Sequence, residues 1–279
     1  MSARAGGSSN YVSQVFVLVR RSAIQLVRPP SHARRAEAAR RLARHSLLIT
    51  AILGAAIVAL MFAVDAREIG LMPPRGTASL WPVRILTDFG KEAYVQGALA
   101  GALLIIVLVS PFLPETRKSP LLRFGARLQF VFFAVLVPVL AGEVVKWIAG
   151  RGRPFVGGKA NAFNFEPFAG TEAYASFPSA HAVTSVALAF AVAAVWPRAR
   201  PVMIVYAILI ATSRLVLLAH HPSDVVAGAL IGLIGAMSVR YWFAARRLGF
   251  AIRRDGEIVP LAGSSLGRFK RVARGASAP

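Results

Sequence analysis

Long apolar runs separated by short polar segments dominate the chain. Six of them approach the twenty or so residues that cross a hydrocarbon core of roughly 30 Å as a helix. They lie near Ser46–Val64, Tyr94–Leu113, Leu128–Trp147, Ser179–Trp196, Pro201–Ala219 and Asp224–Phe243. Continuous apolarity over this length predicts an all-α fold, a polytopic membrane bundle of six transmembrane helices. The run Val15–Val19 is too short to span and is followed by Arg20 and Arg21. It reads either as an interfacial amphipathic helix or as a disordered tail, and not as a signal peptide. The pattern divides the chain into a basic N-terminal segment (1–45), a six-span domain (46–243) and a basic tail (244–279) whose Gly, Ser and Arg content predicts flexibility.

Composition agrees with a membrane protein. Of the 279 residues 56% are hydrophobic and only 16% charged, with a mean hydropathy of +0.58. An ordinary soluble domain carries about 25% charged residues. There is no cysteine, so neither a disulfide framework nor a thiolate metal site is available.

Charge placement gives an orientation. With six spans, both tails and the loops 114–127 and 197–200 share one face. Residues 1–45 carry +8, loop 114–127 +3, loop 197–200 +2 and residues 240–279 +7, nearly all of the chain's +21. The opposite face is close to neutral: loop 65–95 has four basic and four acidic residues, region 143–178 is +1 and region 213–224 is zero. Lys and Arg are retained on the cytoplasmic side, so the basic face is expected to be cytoplasmic. The excess is dispersed beside membrane spans with no recognisable binding module, which argues against nucleic acid and for anionic headgroups as its counterpart. Trp81, Trp147, Trp196 and Trp242 fall at or near span ends, where an indole prefers the interface. Gly97 and Gly101, and Gly228, Gly232 and Gly235, have spacings that permit close helix approach. Asp88-Phe89-Gly90 resembles a kinase signature but lacks every accompanying part, and carries no weight.

Four polar clusters end or begin these runs: Lys146 with Arg151-Gly-Arg153-Pro154, Pro178-Ser179-Ala180-His181, Ser213-Arg214, and His220-His221-Pro222-Ser223-Asp224. The six-span topology brings all four to the non-cytoplasmic face. Lys146 and Arg153 stand seven residues apart, two helical turns, so both are expected on one side of the third span's end. Arg214 adds a third cation. Ser179 and Ser223 follow prolines and precede apolar runs, as helix N-caps do, and the free N–H groups of such termini suit a phosphate. A neutral imidazole can attack phosphorus while a second, protonated one assists the leaving oxygen, which assigns chemistry to His181 and His220. Asp224 is expected to hold the second nitrogen of His220. His221 is expected only to pack or to line the mouth.

The pattern Lys-x6-Arg-Pro, Pro-Ser-x-His and Ser-Arg-x5-His-x3-Asp resembles that of the type-2 phosphatidic acid phosphatase and vanadium haloperoxidase superfamily. Here it reads Lys146 to Arg153-Pro154, Pro178-Ser179-Ala180-His181, and Ser213-Arg214 to His220 and Asp224, over roughly residues 94–243. The resemblance implies hydrolysis without metal or cofactor, His220 as nucleophile, His181 as general acid then base, and Asp224 orienting His220. It implies a phosphate site made of Lys146, Arg153, Ser179, Ala180 and Arg214. Where the family usually has Gly between Ser and His, this chain has Ala180. Alanine keeps the backbone N–H and costs little in a helix, so activity is expected to survive, with scope for a different headgroup preference.

The expected partners are a lipid phosphate and membrane lipids; oligomeric state is not legible. Loop 155–177, with Lys159, Asn161, Asn164, Glu166 and Glu172, is expected to cover the site and read the headgroup. Three other functions share these residues: a haloperoxidase, against which six spans argue, a lipid phosphotransferase, and a non-catalytic lipid binder, which would normally have lost a key residue. The Ala- and Arg-rich composition points to a bacterial inner membrane, with both termini cytoplasmic and the site outside. Among the family's substrates, undecaprenyl diphosphate comes first on this reading. Lipid A, phosphatidylglycerol phosphate and phosphatidate are the alternatives.

Overall fold

The computed structural model describes residues 10–74, 76–158, 160–253 and 257–261. Its helices are α1 (Tyr11–Val27), α2 (His32–Ala63), α3 (Asp65–Leu71), α4 (Trp81–Asp88), α5 (Glu92–Val109), α6 (Glu115–Ala149), α7 (Ala180–Val195), α8 (Arg200–Val216) and α9 (Pro222–Ala245). Each apolar run becomes one helix, and the fold is an all-α membrane bundle.

Among the described residues, five stretches are long and apolar enough to cross a membrane by length and composition: His32–Ala63, Ala78–Phe112, Glu115–Ala149, Pro197–Val216 and Pro222–Ala245. The sixth expected span, α7, has only 16 residues, or about 24 Å of helix. Its ends are set locally. Ser179 takes an extended conformation ahead of it, and Pro197 disfavours a helical Trp196. This short helix is the centre of the bundle, packed against α6, α8 and α9. Ala182, Ala187 and Ala191 are fully buried along it, small enough to let its neighbours close in.

The glycines divide according to use. A Cβ at Gly228 would meet the Ser179 carbonyl oxygen at 2.5 Å, and one at Gly232 the Val183 oxygen at 2.6 Å, so α9 and α7 touch backbone to backbone. Gly235 lies against Pro138 inside α6 in the same way. Gly97 and Gly101 of α5 face open space and mediate no such approach.

At the basic end, α2 is longer than the apolar run alone predicts, because residues 32–45 continue the same helix. His45 Nδ1 lies 3.0 Å from the Tyr241 hydroxyl. Of the two readings of the N-terminal segment, the structure has the helix: α1 buries none of its residues, and the Tyr11 hydroxyl donates to the Leu108 carbonyl at 3.0 Å. Residues 1–9 lie outside the described residues. Past Arg246, where flexibility was expected, Phe250–Ile252 pairs antiparallel with Ile258–Pro260. The cause is Phe250, buried in edge contact with Phe130 at 4.7 Å between ring centroids. The tail beyond 261 lies outside the described residues.

Candidate active site

The opposite end of the bundle gathers the start of α3, the residue after α6, the start of α7, the turn between α8 and α9, and the start of α9. Gly150 makes the first of these turns possible. It takes φ +53°, closing α6 with its N–H on the Lys146 carbonyl, and a Cβ there would lie 1.8 Å from the Glu166 oxygen. Only glycine fits. The helix therefore stops at Ala149, so Lys146 and Arg153 do not share a helical face as their spacing suggested. Lys146 pairs with Glu143 one turn back. Arg153 leaves in an extended segment, its Nη2 on the Glu172 carboxylate at 2.7 Å and its Nε on the Glu172 carbonyl at 3.0 Å.

Arg151, between them, is wholly buried. Its Nη1 donates to Asp224 Oδ1 and to Ser223 Oγ, both at 2.6 Å, its Nη2 to Asp65 Oδ2 at 2.8 Å, and its Nε and Nη2 to the Ala162 carbonyl. Asp65 in turn accepts from the Ser223 backbone N–H at 3.0 Å and from the Ser223 hydroxyl. Asp224 accepts through Oδ2 from the Ser176 hydroxyl at 2.6 Å and the His221 N–H at 2.8 Å. Asp65, Asp224 and Ser223 are all fully buried, as a buried guanidinium requires of its partners. This changes the role expected of Ser223. The residue capping α9 is His221, whose own N–H goes to Asp224; the Ser223 N–H goes to Asp65 and the Asp224 N–H to the His221 carbonyl, leaving this terminus occupied.

The start of α7 is different. Ser179 has the extended backbone of an N-cap but makes no side-chain cap bond; its Oγ is buried without a partner, and so is His181 Nε2. Unpartnered buried polar groups are expensive, and two at one helix terminus mark a place where a polar ligand fits. Ala180 opens the helix with no strain of its own, consistent with the expectation for a Gly-to-Ala change.

His220 differs from the expected arrangement in one bond. Its Nδ1 lies 2.7 Å from the Ser176 carbonyl and 3.9 Å from Asp224 Oδ2. A carbonyl only accepts, so Nδ1 carries the hydrogen and Nε2 the lone pair. Asp224 acts on the imidazole at one remove, through Ser176. Burial, followed by the Arg214 and Arg153 charges, holds the His220 pKa well below the usual histidine range. The ring is neutral at pH 7, the form a nucleophile requires.

Arg214 Nη1 donates to Thr87 Oγ1 at 2.9 Å, and the Ser213 hydroxyl reaches the same oxygen at 3.1 Å. Arg84, Arg153 and Arg214 line one cavity of about 280 Å³ with Gly76, Leu80, Leu217 and Ala219. Loop 155–177 lies along this end: Arg151 bridges to Phe165, while Phe163 meets Phe62 at a tilt and Phe168 meets Trp147 edge-on. Lys159 lies outside the described residues.

Sequence reasoning missed three participants. Asp65 was counted only within a neutral loop, although an acid directly after an apolar run is a signal of a partner nearby. Thr87 sits beside the discarded Asp88-Phe89-Gly90, whose real use is structural: the Phe89 carbonyl accepts from Tyr206, and Gly90 lies against His181. Ser176 gave no signal at all.

One turn beyond Asp65, Glu68 is buried with neither carboxylate oxygen partnered. Burial, then the charges of Asp65 and Asp224, pushes its pKa up to about 7. A folded-state pKa above the unfolded value of 4.5 means that stability is fully present below about pH 4.5 and is lost as pH rises through about 7. Glu68→Gln is therefore expected to melt like wild type at pH 5 and higher than wild type at pH 8. Identical pH dependence of the two melting curves would contradict this account of Glu68.

Residues 127–248 match a family model described as the PAP2 superfamily. Over that stretch the chain is similar to the type-2 phosphatidic acid phosphatases. It is 36% identical over 127 residues to the lipid A 1-phosphatase of Rhizobium johnstonii, covering 46% of this chain and 52% of that protein. It is 35% identical, again over 127 residues, to the lipid A 1-phosphatase of Rhizobium etli, covering 46% and 55%. The bacitracin transport permease protein BcrC of Bacillus licheniformis is 27% identical over 168 residues, covering 58% of this chain and 78% of that one. The aligned part thus spans about half the length of the two lipid A 1-phosphatases. No solved structure matches the chain.

Proposed function

We propose that the protein hydrolyses a lipid-linked phosphate ester through a phosphohistidine on His220. The observation that carries this reading is the His220 Nδ1 bond to the Ser176 carbonyl, which leaves Nε2 with its lone pair under the field of Arg153 and Arg214. A phosphate seated against these guanidinium groups and the Ser179 hydroxyl has its charge matched as the transition state forms. Nε2 attacks phosphorus, the phosphorus–oxygen bond to the lipid breaks, and His181 gives the leaving oxygen a proton. The arriving phosphate dianion favours protonated His181 before that step. Water, deprotonated by His181, then attacks phosphorus and frees His220 and inorganic phosphate. Lys146, engaged with Glu143, joins the phosphate only by exchanging that partner.

Sequence alone ranked undecaprenyl diphosphate first. The two relatives at 36% and 35% identity bear the name lipid A 1-phosphatase, which favours the phosphates of a lipid A-type glycolipid as substrate. The basic tails and loops favour cytoplasmic termini in a bacterial inner membrane, with the site opening to the outer face. The purified protein in vesicles, with EDTA present, is expected to release phosphate from lipid A in preference to undecaprenyl diphosphate and phosphatidate. It should favour any of these over a soluble phosphate ester by roughly two orders of magnitude in kcat/KM, since binding of the lipid contributes to the rate. Preference for the soluble ester would overturn the lipid reading; transfer to an acceptor lipid exceeding release would replace hydrolysis by phosphotransfer.

A further inference from the structure

We infer that Asp65 is a positioning residue for the nucleophile, acting through Arg151, Asp224 and Ser176; the inference rests on the reading of His220 given above. Asp65 opens α3, just past the end of α2, and lies outside the 127–248 stretch that the family model matches. It is fully buried, and among the described residues its hydrogen bonds run to Arg151 and Ser223. Both of its oxygens are engaged, Oδ1 by the Ser223 N–H and Oδ2 by Arg151 Nη2 and the Ser223 hydroxyl. With Nη2 so anchored, Nη1 faces Asp224 Oδ1 at 2.6 Å. The other Asp224 oxygen receives the Ser176 hydroxyl, and the Ser176 carbonyl receives His220 Nδ1–H. The imidazole is thereby tied, bond by bond, to the start of α3, just past the first span.

Charge supplies the second argument. Two carboxylates surround one guanidinium, all with fully buried side chains, and the nearer of the two lies 3.9 Å from the imidazole. A purely architectural ion pair would need one carboxylate, and the second makes the cluster harder to bury. The reaction accounts for the second carboxylate. His220 is neutral at rest, and its ring becomes cationic when Nε2 bonds to phosphorus. A negative charge at 3.9 Å from Nδ1 stabilises that state selectively.

Asp65→Asn preserves shape and removes one charge. In the full-length protein it is expected to lower kcat on the lipid phosphate by about 10- to 100-fold with KM within about twofold, because binding is untouched and the reacting geometry is not. Arg153→Gln, which removes a phosphate contact, is expected to raise KM. In protein labelled with nitrogen-15 histidine, the Nδ1–H resonance of His220, assigned with His220→Gln, should move in Asp65→Asn and stay fixed in Arg253→Gln. A folded Asp65→Asn protein with wild-type kcat, or with an unmoved His220 resonance, would overturn the inference. If wild type releases phosphate from no lipid, the functional reading fails, and the resonance still decides whether Asp65 controls the imidazole.

Discussion

His220→Ala is expected to abolish phosphate release, by at least about three orders of magnitude in kcat, because it removes the Nε2 on which the proposed phosphoryl intermediate forms. The substitution also leaves the Ser176 carbonyl without its donor, at a cost of roughly 1–3 kcal/mol. Lost rate must therefore be separated from lost fold. His220→Gln is the control, since its side-chain amide can donate to the same carbonyl without acting as a comparable nucleophile. Both variants should bind lipid phosphate, and neither should turn it over. Their thermal melts in detergent, set beside phosphate release on lipid A, make the distinction. Turnover by His220→Gln at more than a few per cent of wild type would remove His220 from the nucleophile's role.

Arg151→Met is expected to be the most destabilising single change at this end of the molecule. It removes the shared partner of Asp65 and Asp224 and strands two buried carboxylates, and breaking a buried pair in this way costs about 3–5 kcal/mol. Arg153→Met, two residues on, should behave in the opposite way. Its carboxylate partner, Glu172, is largely exposed, so the loss in stability should stay within about 1 kcal/mol while activity falls. Sequence placed both arginines in one cluster and assigned the phosphate to Arg153. Chemical unfolding of the two variants in detergent would show whether that division holds: equal destabilisation would mean that the buried cluster does not bear on the fold as its geometry implies.

The difference between these neighbours illustrates how much was legible beforehand. Hydrophobic run length gave α2 and α5 to α9, because apolar surface of spanning length has few alternatives to a helix. The clusters at the run ends followed from the same pattern. What the pattern could not give was the partner of each polar group. Asp65 and Arg151 are 86 residues apart in sequence, and nothing local to either encodes their meeting. Gly150 decided where α6 stops and so separated Lys146 from Arg153, which helical spacing had joined. The Asp224–His220 contact was right in neighbourhood and wrong in bond, since the Ser176 carbonyl, a group every residue possesses, takes the hydrogen instead. The folded hairpin after Arg246 was missed because one buried phenylalanine outweighed a flexible composition.

On the proposed mechanism His220 takes up the phosphoryl group. Wild-type protein mixed with lipid phosphate, quenched in alkali during turnover and digested, should yield an acid-labile phosphate on the peptide that contains His220. The modification should be attached at Nε2 and be absent from His220→Gln. Phosphate on a different residue, or turnover with no protein-bound phosphate under conditions where hydrolysis of the intermediate is rate-limiting, would contradict the account.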